Sequence, residues 1–152
     1  MYKATMAKRS IIVAALLISL SRPALAVTFW DAVATQSAAV VQTFIEAGAD
    51  LDAVDEAGLT AIFHAAKRNP DPEVIDVLVE AGADVTGVAG WDYRTPLSYA
   101  AQYNPEPLVS NALIEHGADI NARDADNMTP LLYAAMSNTE PAVLALFLER
   151  GA

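Results

Sequence analysis

Cysteine is absent from all 152 residues. No disulfide can form and no N-terminal cysteine can carry a lipid, so packing alone must hold the fold. Histidine is scarce: His64 and His116 are the only two, and neither has a histidine or cysteine at metal-ligand spacing. Basic side chains are few, nine against nineteen acidic. Four of the nine (Lys3, Lys8, Arg9 and Arg22) precede residue 27. Residues 27–152 therefore hold five basic and nineteen acidic side chains, a formal charge of −14 against −10 for the whole chain. Such a surface repels nucleic acid and anionic lipid, and it favours a basic partner with a fast, salt-sensitive approach. It also serves simple solubility. There is no long apolar run. Ile11 to Leu20, broken by Ser19, is ended by Ser21-Arg22-Pro23, short of the roughly 20 residues that a membrane span needs.

The start of the chain has its own order of residues. Lys3, Lys8 and Arg9 give a basic opening, Ile11 to Leu20 an apolar run, and Ala24-Leu25-Ala26 small residues at the −3 and −1 positions of a cleavage site. This order predicts a secretory signal peptide over 1–26, cleaved after Ala26, with the mature chain opening at Val27. No twin-arginine pair precedes the run. The expected location is the periplasm of a diderm cell, with release outside the cell as the other destination, and no membrane association follows cleavage.

The rest is periodic. Gly48-Ala49-Asp50, Gly82-Ala83-Asp84, Gly117-Ala118-Asp119 and Gly151-Ala152 recur at spacings of 34, 35 and 34. In step with them, Thr60-Ala61-Ile62-Phe63-His64-Ala65-Ala66 returns as Thr95-Pro96-Leu97-Ser98-Tyr99-Ala100-Ala101 and Thr129-Pro130-Leu131-Leu132-Tyr133-Ala134-Ala135. A third motif, Asn69-Pro70-Asp71-Pro72, returns as Asn104-Pro105-Glu106-Pro107 and Asn138-Thr139-Glu140-Pro141. The threonine suits a helix N-cap and the following proline the first helical turn. The paired alanines permit close helix packing. The asparagines fall where that helix must stop, and they predict a left-handed residue there. Pro72, Pro107 and Pro141 open a second helix with apolar residues at helical spacing, such as Val74, Ile75, Leu78 and Val79. Glycine ends it. The predicted unit is helix, turn, helix and extended finger.

A period near 33 with these motifs resembles the ankyrin repeat, over Phe29 to Ala152. The fold class implied is all-α, a solenoid of about four repeats at approximately 28–52, 53–86, 87–121 and 122–152, with the domain spanning 27–152. The first pair is read as an atypical cap, with Thr28 capping a helix near Phe29 to Thr35 and a second helix near Ala38 to Ala47. The chain departs from the family pattern at the motif histidine, replaced by Phe63, Ser98 and Leu132. Ala61 stands for the proline in one unit, and the interhelix loop and the finger before Trp91 are each one residue longer. The last helix carries Ala142, Ala145 and Leu146 where an earlier unit has Glu73, Asp76 and Val77. A terminal repeat normally has a polar outer face. The sequence therefore predicts that further chain, a partner or a second copy covers this end, with self-association through the C-terminal repeat as one form.

The resemblance implies a binding surface made of finger tips and the exposed side of each first helix. Carried over by position, it comprises Glu56, Ala57, Leu59, Lys67 and Arg68, then Trp91, Asp92, Arg94, Gln102 and Tyr103. In the last unit it comprises Ala125, Asp126, Met128, Met136 and Ser137. Tyr93 joins them, where the family usually has glycine. Trp, Tyr and Arg dominate interface hot spots, so Trp91, Tyr93 and Tyr103 are expected to form an aromatic binding ridge. The alternative for Trp91 is packing against the next finger.

Chemistry has little to rest on. His64 occupies the slot of Tyr99 and Tyr133, a structural position. His116 lies in a last helical turn, where a cation suits the dipole. Asp124-Ala125-Asp126-Asn127 and Asp50-Leu51-Asp52 open like calcium loops, but the sixth and twelfth places hold Thr129 and Ala135, or Asp55 and Ala61, instead of glycine and glutamate. The aspartates of Gly-Ala-Asp read as turn formers. No phosphate-binding glycine loop or serine elbow is present, so neither an enzyme nor a bound cofactor or metal is expected. Exported bacterial ankyrin proteins of this size resemble immunity or self-protection factors. The resemblance implies an inhibitor of a cell-wall or lipid hydrolase, with a basic periplasmic enzyme as partner. The alternative is a structural accessory that stabilises or assembles such an enzyme without blocking it.

Overall fold

The computed structural model describes residues 28–152; the leader expected over 1–26 lies outside them. Among the described residues there are eight helices. They are α1 (Phe29–Thr35), α2 (Ala38–Glu46), α3 (Ala61–Arg68), α4 (Glu73–Glu80), α5 (Pro96–Tyr103), α6 (Pro107–Glu115), α7 (Pro130–Ser137) and α8 (Pro141–Glu149). They form four antiparallel pairs joined by three fingers. The only β pairing among these residues is an isolated bridge, Ala89 with Arg94.

Each pair begins on chemistry written in the repeat. Thr28 and Asp31 form a reciprocal capping box on α1. Thr95 Oγ1 accepts from Ser98 N at 3.2 Å and Thr129 Oγ1 from Leu132 N at 3.4 Å. Thr60 holds the N-cap position of α3 without a side-chain bond to the helix. Glu106 and Glu140, one residue before the prolines, cap α6 and α8 through their carboxylates. The Gly-Ala-Asp glycines adopt φ of 91, 105, 94 and 88° at Gly48, Gly82, Gly117 and Gly151, the left-handed helix ending that glycine makes at least cost. Asp50, Asp84 and Asp119 each accept the backbone N–H two residues on, forming the expected turns.

The asparagines correct the sequence expectation. Asn69, Asn104 and Asn138 are extended, not left-handed, with φ of −81, −93 and −78°. Their role lies between units. Asn69 Nδ2 donates to Val33 O and Gln36 O at 2.9 and 2.8 Å, Asn104 Nδ2 to Ala66 O and Asn69 O, and Asn138 Nδ2 to Ala101 O and Asn104 O. Each Oδ1 accepts the N–H two residues on, at Asp71, Glu106 and Glu140. Every amide thus satisfies the open carbonyl end of the preceding unit's first helix while shaping its own loop. With extended backbone, the side chain reaches across the unit boundary. Asn69 and Asn104 are buried, where an unmade bond costs about 1–3 kcal/mol.

The odd-numbered helices pack side by side through Ala65, Ala66, Ala100, Ala101 and Ala134, all buried. The even-numbered row, built of Val74, Ile75, Leu78, Val109, Leu113, Val143 and Phe147, sits behind and is more loosely packed along the stack. Close packing in one row and wider spacing in the other curve the stack toward the odd-numbered side. Each fully buried Ile, Leu, Val or Phe contributes roughly 1.5–3 kcal/mol, and the core is continuous from Val33 to Phe147. Phe63, in place of the motif histidine, meets the Tyr99 ring edge-on at 5.6 Å. His116, the C-cap of α6, bonds through Nε2 to Asp76 Oδ1 of α4 at 2.7 Å.

Candidate functional site

The fingers between α2 and α3, α4 and α5, and α6 and α7 can be compared position by position. Counting from Asp55, Gly90 and Asp124, the next two residues form the tip: Glu56 and Ala57, Trp91 and Asp92, Ala125 and Asp126. All are exposed except Asp92, which is half-buried. The third position has positive φ in every finger: Gly58 at 77°, Tyr93 at 55° and Asn127 at 63°. The fourth turns inward: Leu59 is 5 % exposed, Arg94 7 %, and Met128 half-buried.

That inward position corrects the surface assignment of Leu59 and Arg94, and in part of Met128. It immediately precedes the N-cap threonine, and a residue there packs against the fourth residue of the helix. The partners by this spacing are His64, Tyr99 and Tyr133. Arg94 meets the rule with a cation: its guanidinium carbon lies 4.5 Å from the Tyr99 ring centre and 4.0 Å from that of Tyr133. Nη2 donates to Gln102 Oε1, while Nε has no hydrogen-bond partner and faces Asp92 Oδ2 at 3.9 Å. Arg94 is therefore the floor of the middle unit.

The outer two fingers are tied down by aspartate. Asp55 Oδ1 accepts from Ala57 N and Leu59 N, and Oδ2 from His64 Nε2 at 2.9 Å. Asp124 Oδ1 accepts from Asp126 N and Met128 N, and Oδ2 from the Tyr133 hydroxyl. Burial works to raise both carboxyls. The hydrogen bonds outweigh it and hold both below the ordinary 3.8. Burial, then the bond to Asp124, pushes Tyr133 up to about 12. In the middle finger Gly90, at φ 77°, replaces the aspartate. The carboxylate moves to Asp92, and a Cβ on Gly90 would lie 2.8 Å from Asp92 Oδ1. The Asp92 carbonyl instead accepts from Ala125 N at 2.8 Å, linking this finger to the next.

The tip is aromatic. Trp91 is 83 % exposed and Tyr93 61 %, so Trp91 does not pack against the neighbouring finger. On the helices, Lys67 lies 5.0 Å from the Tyr103 ring centre and 5.7 Å from that of Tyr99, and Arg94 lies 5.9 Å from Tyr103. The Tyr99 and Tyr103 rings are 6.1 Å apart, and Gln102 Nε2 donates to Ser137 Oγ at 3.4 Å. Lys67, Arg94, Gln102 and Tyr103 therefore form one cluster. Arg68, exposed, follows Lys67 at the end of α3. Glu56 and Asp126 stand on separate tips, and Met136 is exposed on α7. Sequence reasoning missed Tyr99, Tyr133, Asp55 and Asp124 as parts of this surface. The signal was the five-residue step from Asp55 to Thr60 and from Asp124 to Thr129, with a His or Tyr four beyond the threonine.

Among the described residues, no group of three or more His, Cys, Asp and Glu could hold a metal ion. No described helix is long and apolar enough to cross a membrane. Behind the stack, Pro107, Leu108, Asn111, Ala142, Ala145, Leu146, Glu149 and Arg150 line a shallow groove of about 440 Å³.

A family model described as ankyrin repeats (3 copies) matches residues 29–124 and, overlapping, 71–152. No curated protein matches the chain.

Proposed function

Because the chain belongs to the ankyrin-repeat family, we propose that it is exported and uses its inner face to capture and inhibit a basic periplasmic enzyme. Ankyrin repeats are protein–protein interaction modules, and the family supports binding as the activity. The observation that carries the finer reading is the middle finger, where Trp91 at 83 % and Tyr93 at 61 % exposure stand on a scaffold of close-packed helices. Large aromatics exposed to water on a loop have little to gain there until a partner covers them. A projecting finger fits a cleft, and the clefts of cell-wall or lipid hydrolases are the target class. The formal charge of −14 over residues 27–152, five basic against nineteen acidic side chains, supports a basic partner drawn in by long-range attraction. Export rests on the leader motif of 1–26.

A tagged full chain, exported in its own host, tests this beside a Trp91→Ala, Tyr103→Ala variant by capture from periplasmic extract. The variant is expected to lose the captured enzyme; equal capture by both would remove the aromatic ridge from the interface. Assay of that enzyme with and without the chain then separates the two roles. Falling activity marks an inhibitor, whereas unchanged or rising activity marks the structural accessory. A second contact is favoured by the groove between α6 and α8, where Leu108 is 56 % exposed and Ala142, Ala145 and Leu146 complete the apolar lining. Self-association through this C-terminal face would show as a concentration-dependent mass in sedimentation, abolished by Leu108→Lys.

A further inference from the structure

The five cations among the described residues are unequally used. Arg94 is engaged by Gln102 and the tyrosine rings, Arg123 donates to Asn127 O, and Arg150 is bound by Asn111 and Glu115. Lys67 and Arg68 have no hydrogen bond or ion pair among the described residues, in a stretch with nineteen acidic side chains. A cation at a helix C-terminus gains about 0.3–1 kcal/mol from the dipole, but α1, α5 and α7 end without one. Lys67 is also held in place, over Tyr103 at 5.0 Å, with Arg94 buried beneath the same rings. The exposed tips of the first and third fingers carry the opposite charge, Glu56 and Asp126.

We infer that the inner face is electrically divided: Lys67, lying over Tyr103, and the adjacent Arg68 seat a carboxylate-bearing segment of the partner, while the acidic tips face its basic residues. The inference rests on the reading that the inner face binds protein, and it names the chemistry of the anchor. The two ends divide the work. The acidic excess draws a basic protein from a distance. The unpaired cations act within about 8–10 Å, the screening length at ordinary salt, where they fix the register of the docked chain and disfavour a reversed one. A partner that is basic overall but presents an Asp- or Glu-rich loop beside its cleft satisfies both.

The test uses the full chain, isotope-labelled, with capped hexaglutamate and hexalysine peptides as probes at low salt. Hexaglutamate is expected to shift the backbone amide signals of Lys67, Arg68, Gln102 and Tyr103. Its affinity should fall about tenfold or more in Lys67→Glu, Arg68→Glu, but less than about twofold in Arg123→Glu, Arg150→Glu, which changes net charge equally. Hexalysine should shift Glu56 and Asp126. Unchanged signals elsewhere report that each variant is folded, and Lys67→Gln, Arg68→Gln gives an intermediate loss if charge is the cause. Absence of hexaglutamate shifts at these four residues, or an equal loss in both charge-reversed variants, overturns the anchor. Retained capture of the periplasmic partner by Lys67→Glu, Arg68→Glu would overturn it while leaving protein binding intact. Loss of capture in the Trp91, Tyr103 variant speaks to binding by the face itself.

Discussion

The middle finger and its two neighbours follow the same repeat but hold themselves up differently. In the neighbours an aspartate, Asp55 or Asp124, gathers two backbone N–H groups and a side chain from the following helix. In the middle one glycine replaces it, and an arginine wedged between tyrosines supplies the support from below. The comparison teaches that a finger can do without its aspartate when other contacts brace it, here Arg94 beneath and the Asp92 carbonyl bond to Ala125 N. Tyr93 shows the strain of that choice: it sits at φ 55° where the neighbours place Gly58 and Asn127, and a bulky residue there costs roughly 1–2 kcal/mol.

The largest effect should come from Arg94→Ala. Removing a buried cation stacked on two rings is expected to lower stability by about 2–3 kcal/mol in urea unfolding. Arg94→Leu should recover much of that, because the first finger uses Leu59 in the same place. A loss under about 1 kcal/mol for Arg94→Ala would mean that the middle finger is not supported from below. Next, Asp55→Ala and Asp124→Ala should each cost about 1–2 kcal/mol, against about 0.5 or less for Asp92→Ala; equal costs would erase the contrast between fingers.

Acid should separate them too. Asp55 and Asp124 have folded values below the ordinary 3.8. Their contribution is present above that value and is lost as pH falls through the lowered one. Melting temperature should therefore drop more steeply below pH 3.8 in the natural chain than in an Asp55→Asn, Asp124→Asn variant. At the alkaline end Tyr133 works in the opposite sense, with stability lost as pH rises from 10.0 toward about 12, and Tyr133→Phe should blunt that loss. The smallest expected change is Tyr93→Gly, a gain of about 0.5–1 kcal/mol after the entropy of the added glycine is subtracted. A loss of stability would show that the tyrosine ring supports its own finger.

Much of this architecture could be read from the chain because its signals are local. Thr95 next to Pro96, or Gly82 before Ala83-Asp84, determines the backbone within a few residues, so helix positions and turns followed. The site was less legible because its decisive contacts cross units. That Asn104 bonds Ala66 O and Asn69 O, or that Arg94 lies against Tyr133, depends on how successive pairs stack, which no single unit contains. The inward turn of Leu59 and Arg94 lay between these cases. Its signature was local, a residue just before an N-cap, but an arginine there reads as surface until the rings that accept it are in place.

The asparagine ladder bears on how the molecule comes apart. Its side-chain amides spend their donors across unit boundaries, so they strengthen the coupling between neighbours and add little to any unit alone. In a one-dimensional array that balance sets the cooperativity length. With strong coupling and weak units, a frayed end is costly and melting proceeds in a single step. Weakening a central rung, as in Asn104→Ala, would act less like removing a brick than like opening a seam, letting the two halves unfold at different temperatures.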